Sequence, residues 1–122
     1  MSQFNIEQER ANAAFEFAKE SKGNAEYSTN AQKLPMYIKV NGLGNTLAFM
    51  YSKKSNKGWE LLYNQLYKWL CSAKHSIIQT ELSKGGEFVQ VITQLDSEKY
   101  RFATREVLAL AAWLKRFVNS EV

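Results

Sequence analysis

The sequence is poor in residues that break regular structure or staple it. It contains one proline (Pro35), one cysteine (Cys71), one histidine (His75), one aspartate (Asp96) and six glycines in 122 residues. A single cysteine excludes an internal disulfide framework and suits a reducing compartment. So little Gly and Pro favours helices over a turn-rich β architecture. No apolar run approaches the length needed to cross a bilayer. The opening MSQFNIEQER lacks a basic segment followed by an apolar one, so no signal peptide is expected. A cytoplasmic location without membrane association is the expectation.

The same scarcity limits chemistry. Cys71 and His75 lie four residues apart and could share a helical face, but two ligands do not make a zinc site. As a nucleophile–base pair they are equally weak. Cys71 closes an apolar helix, where a thiol packs as a small hydrophobe. His75 falls in a polar stretch and is expected at the surface. Asp96 precedes a long helix, and capping is its ordinary use. Gly42 to Asn45, GLGN, lacks the spacing of a phosphate loop and no Lys-Ser/Thr pair follows it. Its glycines permit close approach of a backbone or a phosphate, or simply mark an interhelix turn. No catalytic residue, metal or cofactor is expected, and the chain reads as a non-enzyme. A small nuclease is the weakest of the readings considered.

What is present points to a folded helical domain that attracts polyanions. Apolar residues make up 45% and charged residues 23%, enough for one modest core in a single domain spanning residues 1–122. The net charge is +4, unevenly spread: residues 39–74 hold six lysines against one glutamate. Such asymmetry fits a nucleic acid or an acidic protein face. Lys39 lies in this segment, and Lys53, Lys54 and Lys57 form a cluster suited to phosphates. Arg101 and Arg105 stand one helical turn apart, and Lys115 and Arg116 follow on the same helix. An arginine pair can clamp phosphates, or it can bond within the chain to Glu98 or Glu106. No helix-turn-helix, zinc finger or RNA-recognition aromatic set is evident.

Hydrophobic periodicity places the elements. Asn5 with Gln8 forms a capping box for a helix to about Ser21, with Ile6, Ala13, Ala14, Phe17 and Ala18 as its apolar stripe. Gly23 suits a left-handed turn after it. A second helix is expected from about Thr29 to Val40, with a late start or a kink at Pro35. Asn41-Gly42 breaks it, and a short buried helix follows around Leu43, Leu47, Phe49 and Met50. Ser52 to Gly58 reads as a basic loop. Trp59 to Cys71 is apolar around much of its circumference and is expected to be central. Ser72 to Ser76 reads as a loop, Ile77 to Leu82 as a short helix, and Phe88 to Ile92 as a short helix, since a lone strand has no partner. Asp96 to Phe117 is a helix of about 33 Å. Ala103, Val107, Leu110, Leu114 and Phe117 or Val118 track its buried face, and Phe102, Ala109, Ala112 and Trp113 widen it. The expected fold is all-α: a small bundle of five to six helices ending in this long one.

Two blocks carry a family resemblance. Residues 34–49 read LPxxIKxNGLGxxLAF, through Leu34, Pro35, Asn41, Gly42, Leu43 and Gly44. Residues 96–117 read DSxxYRxATREVLAxxxWLKRF, through Asp96, Tyr100 and Trp113. In this order and spacing the chain resembles the small all-helical subunit of the type III-B CRISPR effector, the Cmr complex. The resemblance covers most of the chain and is least informative over residues 72–87. It implies a helix bundle stacked in several copies along a ribonucleoprotein, opposite the backbone subunits that hold the guide RNA. It also implies contact with guide RNA and target RNA without cleavage, and partnership with the backbone and large subunits and with further copies of itself. The alternative is a protein–protein scaffold without RNA contact.

Overall fold

A computed structural model of the chain describes residues 5–120. All regular structure among them is helical: α1 (Ile6–Glu20), α2 (Ala25–Asn41), α3 (Leu43–Ser52), α4 (Lys57–Leu70), α5 (Ser76–Ser83), α6 (Phe88–Thr93) and α7 (Ser97–Ser120). A 3-10 turn, Ala73–His75, stands where the sequence suggests a loop. The all-α expectation holds; with short α5 and α6 counted singly, the helices among the described residues number seven rather than five or six.

Local chemistry sets most boundaries. Asn5 accepts the Gln8 N–H at 2.8 Å while Gln8 accepts the Asn5 N–H at 2.9 Å, the reciprocal box expected for α1. Gly23 turns the chain at φ +86°. Asn24 then caps α2 by accepting the Tyr27 N–H at 3.2 Å. This cap, with Tyr27, Asn30 and Ala31 buried, starts α2 four residues before the expected Thr29. Pro35 lies inside α2, and the helix runs on to Asn41. Proline removes one helical hydrogen bond, but buried Leu34 and Ile38 on either side hold the chain in place. Gly42, at φ +86°, ends α2 and begins α3 in one residue, a conformation costly for any side chain with a Cβ.

Asn56 caps α4 by accepting the Trp59 N–H at 2.9 Å. Lys57 and Gly58 therefore open a helix instead of closing a loop. A Cβ on Gly58 would lie 2.6 Å from the backbone of Glu26 and Tyr27. The start of α2 packs directly on this glycine. Buried Trp59, Leu62, Tyr63, Gln65, Leu66, Trp69 and Leu70 make α4 central, as its apolar circumference predicts.

Helix α7 unites the bundle. Asp96 accepts the Lys99 N–H at 2.9 Å and opens it. Its buried face is Ala103, Val107, Leu110, Ala111, Leu114 and Val118. Ala112 is exposed and Trp113 only half-buried, because the face is centred on Ala111. On other helices, Ile6 and Phe49 are also more exposed than their stripes predict, at 42% and 37%. Helix α7 runs antiparallel to α2: Tyr100 meets Gly44 just past one end, and Val118 shares a cleft with Ala25 and Ser28 at the other. It runs parallel to α1, with Arg10 bonded to Glu106 and Phe15 edge-on to Phe117 at 5.5 Å.

Candidate nucleic-acid interface

The basic residues fall into separate groups. On α7, Arg101, Arg105, Lys115 and Arg116 are all exposed. At about 100° and 1.5 Å per residue, they fall within roughly 100° of one face and span about 22 Å. Glu106, one of the intramolecular partners considered for the arginine pair, is instead buried and bonded elsewhere. Among the described residues neither Arg101 nor Arg105 forms an ion pair. Arg116 lies 4.8 Å from the Trp113 ring centroid, a geometry that steadies a guanidinium without neutralising it. Lys99 does not belong to this free group. It bonds Glu81 of α5 at 2.8 Å, which raises the Lys99 ammonium and lowers the Glu81 carboxyl.

The second group sits on the turn between α3 and α4. Lys53 lies 5.9 Å from the Phe49 ring centroid and Lys54 lies 4.6 Å from that of Tyr51. Lys57 is 3.7 Å from Glu60. Lys74, at the end of the lysine-rich segment, pairs with Glu9 at 3.4 Å. Lys39 is exposed near the end of α2. No side-chain contact among the described residues joins the turn lysines to the α7 stripe. The basic surface is thus a ridge and a separate cluster.

The interior holds the charge that the sequence does not reveal. His75 is 1% exposed, contrary to the surface position expected for it. The 3-10 turn folds it under Trp69, whose ring lies edge-on at 4.5 Å. The Trp69 carbonyl lies 2.9 Å from His75 Nδ1, and Glu106 Oε1 lies 3.1 Å from Nε2. Glu106 also accepts from Arg10, with Nη2 at 2.6 Å and Nε at 3.2 Å. Burial alone would raise the Glu106 carboxyl; the hydrogen bonds and charges of Arg10 and His75 outweigh it, so it sits below its ordinary value. The same carboxylate raises the Arg10 guanidinium. This triad ties α1, the 3-10 turn and α7 together, and His75 is engaged away from Cys71.

Glycines of the NGLGN stretch serve packing. The Tyr100 hydroxyl accepts the Gly44 N–H at 2.7 Å, and a Cβ on Gly44 would lie 3.0 Å from the Thr93 methyl. The close approach that Gly44 permits is therefore to α6 and α7. Among the described residues, no group of three or more His, Cys, Asp and Glu is placed to hold a metal, and no helix is long and apolar enough to cross a membrane.

A family model described as CRISPR-associated protein (Cas_Cmr5) matches residues 6–121. The chain belongs to the Cmr5 family. It is 32% identical over 113 residues to the CRISPR system Cmr subunit Cmr5 of Thermus thermophilus, covering 90% of each chain. The resemblance read from the two sequence blocks is therefore correct, and in this Cmr5-family fold the blocks touch through Tyr100 and Gly44. Gly58 and the Arg10–Glu106–His75 triad escape sequence reasoning. Gly58 looks like loop punctuation beside SKKSNK. The triad joins positions 10, 75 and 106, and no spacing rule connects residues so far apart.

Proposed function

We propose that this Cmr5-family chain is a non-catalytic structural subunit of a Cmr ribonucleoprotein, acting as one helical domain over residues 1–122. In this reading several copies stack along the particle in the cytoplasm, beside the backbone and large subunits. They bear on the guide–target RNA through its backbone. The observation that carries the reading is the α7 ridge: four exposed cations on one helix face, with Arg101 and Arg105 unneutralised. An A-form duplex hides its base edges in a deep, narrow major groove, so cations along such a ridge meet phosphates and no sequence. The Lys53, Lys54 and Lys57 cluster would add a second backbone contact.

A protein–protein scaffold without RNA contact is the alternative. Met36 and Val40 favour it, being 66% and 73% exposed one turn apart on α2. Particles rebuilt with Arg101→Ala/Arg105→Ala or Lys53→Ala/Lys54→Ala/Lys57→Ala decide between them. The RNA reading expects weaker target binding for unrelated sequences alike, and a log–log salt slope shallower by roughly 0.7 to 0.9 per lost phosphate contact. Unchanged affinity and slope with impaired assembly would establish the scaffold reading instead.

A further inference from the structure

We propose that the groove between α2 and α3 receives an unpaired RNA base, with an adjoining phosphate on Lys53. The inference rests on the RNA-contacting reading above and adds a base-holding site to its backbone contacts.

The groove has a volume of about 250 Å³ and is lined by Tyr37, Asn41, Asn45, Thr46 and Phe49. A nucleobase offers two π faces and an edge of donors and acceptors. Two rings, two carboxamides and a hydroxyl are the complementary set. No charged residue lines the groove, which disfavours an acidic or basic peptide side chain as its occupant. The charge lies at the rim: Lys53 Nζ sits 5.9 Å from the Phe49 ring centroid. It belongs to a segment with six lysines against one glutamate.

The polar groups are available. Asn45 donates one amide hydrogen to the Asn41 carbonyl at 2.9 Å, and its side-chain oxygen accepts no hydrogen bond among the described residues. The Asn41 side chain is exposed and makes no hydrogen bond among the described residues. Thr46 is 2% exposed, and its Oγ1, closed to solvent, has no hydrogen-bond partner among the described residues. A buried hydroxyl left unmet is destabilising, so its presence calls for an explanation. A ligand in the groove supplies one.

The walls are set in advance. Tyr37 meets Phe49 edge-on at 5.6 Å, and both contact Trp59, at 5.9 Å and 5.4 Å. Phe49 remains 37% exposed despite these two ring contacts. A rigid aromatic wall loses little freedom when a base docks against it. The site also accounts for the asparagines of NGLGN, which the packing of Gly42 and Gly44 does not use.

The test uses the full chain with two labelled single-stranded RNAs of equal length, one normal and one with abasic riboses throughout. Wild type is expected to hold the base-bearing strand about tenfold more tightly. Thr46→Val with Asn45→Ala should reduce that strand to the abasic affinity. Thr46→Val alone should unfold at no lower temperature than wild type, since it removes only an unmet hydroxyl. Lys53→Ala/Lys54→Ala should weaken both strands. Equal wild-type affinity for the two strands overturns the base site. If lysine removal still weakens both, backbone contact survives that result. A base preference untouched by Thr46→Val/Asn45→Ala also overturns it. So does a groove that becomes protected from solvent exchange with a Cmr partner subunit but not with RNA, which would assign it to a protein side chain.

Discussion

The Tyr100 hydroxyl accepts the N–H of Gly44 at 2.7 Å across 56 residues of sequence. Gly42 caps α3 without a side chain, so the first-turn N–H groups of α3 have no side-chain acceptor from their own cap. The first turn of α7 supplies one. Tyr100→Phe should therefore cost about 1–2 kcal/mol, the penalty of a partly buried donor left without its partner. Urea unfolding would show this as a lower midpoint at unchanged m-value. An unchanged midpoint would mean that water replaces the hydroxyl without loss.

Gly58→Ala should destabilise the fold by roughly 2 kcal/mol or more, although alanine is the better helix former by about 1 kcal/mol. The new methyl would meet the backbone of Glu26 and Tyr27 at 2.6 Å, where no flexible side chain can yield. Chemical denaturation measures it, and a neutral or stabilised variant would show that α2 and α4 part easily here.

Acid should weaken the protein partly through Glu106. Its folded carboxyl lies below the ordinary 4.5. Its contribution is therefore present above that value and is lost as pH falls through the lower folded one. Unfolding free energies of wild type and Glu106→Gln should converge as pH drops below about 4.5. At neutral pH the variant should be weaker by about 3 kcal/mol, because part-buried Arg10 loses its counter-charge and buried His75 loses a carboxylate hydrogen-bond partner. Parallel pH profiles would remove Glu106 from the acid response.

Trp113→Ala should cost about 1–2 kcal/mol, less than the roughly 3–5 of a fully enclosed tryptophan. The ring is half-buried, lies against Phe117 at 5.8 Å, and donates its indole N–H to exposed Glu7 at 2.8 Å. A loss above about 3 kcal/mol in denaturant titration would show that the α1–α7 seam depends on this ring far more than its exposure implies.

The helices were legible where apolar spacing and caps agree. Asn5–Gln8, Asn41–Gly42 and Asp96 mark boundaries that the structure keeps. The start of α2 was not, because Pro35 suits a first turn and so favours a late start, whereas Asn24 caps the helix and buried Tyr27 anchors its first turn. The buried face of α7 was legible through Ala103, Val107, Leu110, Leu114 and Val118; only its flank was not, since Ala111 is buried and Ala112 exposed, and alanines on neighbouring positions give no periodic contrast. The basic candidates were all visible as residue types. Their division into an α7 ridge and a turn cluster was not, because it depends on which helices lie beside which.

By itself the sequence determined that this chain is helical, basic through its middle and a member of the Cmr5 family. Those properties reside in local periodicity, composition and two contiguous motifs. Tertiary structure alone decided that His75 is buried against Glu106, that Gly58 carries the backbone of α2, and that Tyr100 caps α3. Each of these joins residues at least 31 positions apart. The physical reason is range. Caps and amphipathic stripes act within a few residues, whereas close packing and the pairing of buried polar groups are settled only when distant segments meet.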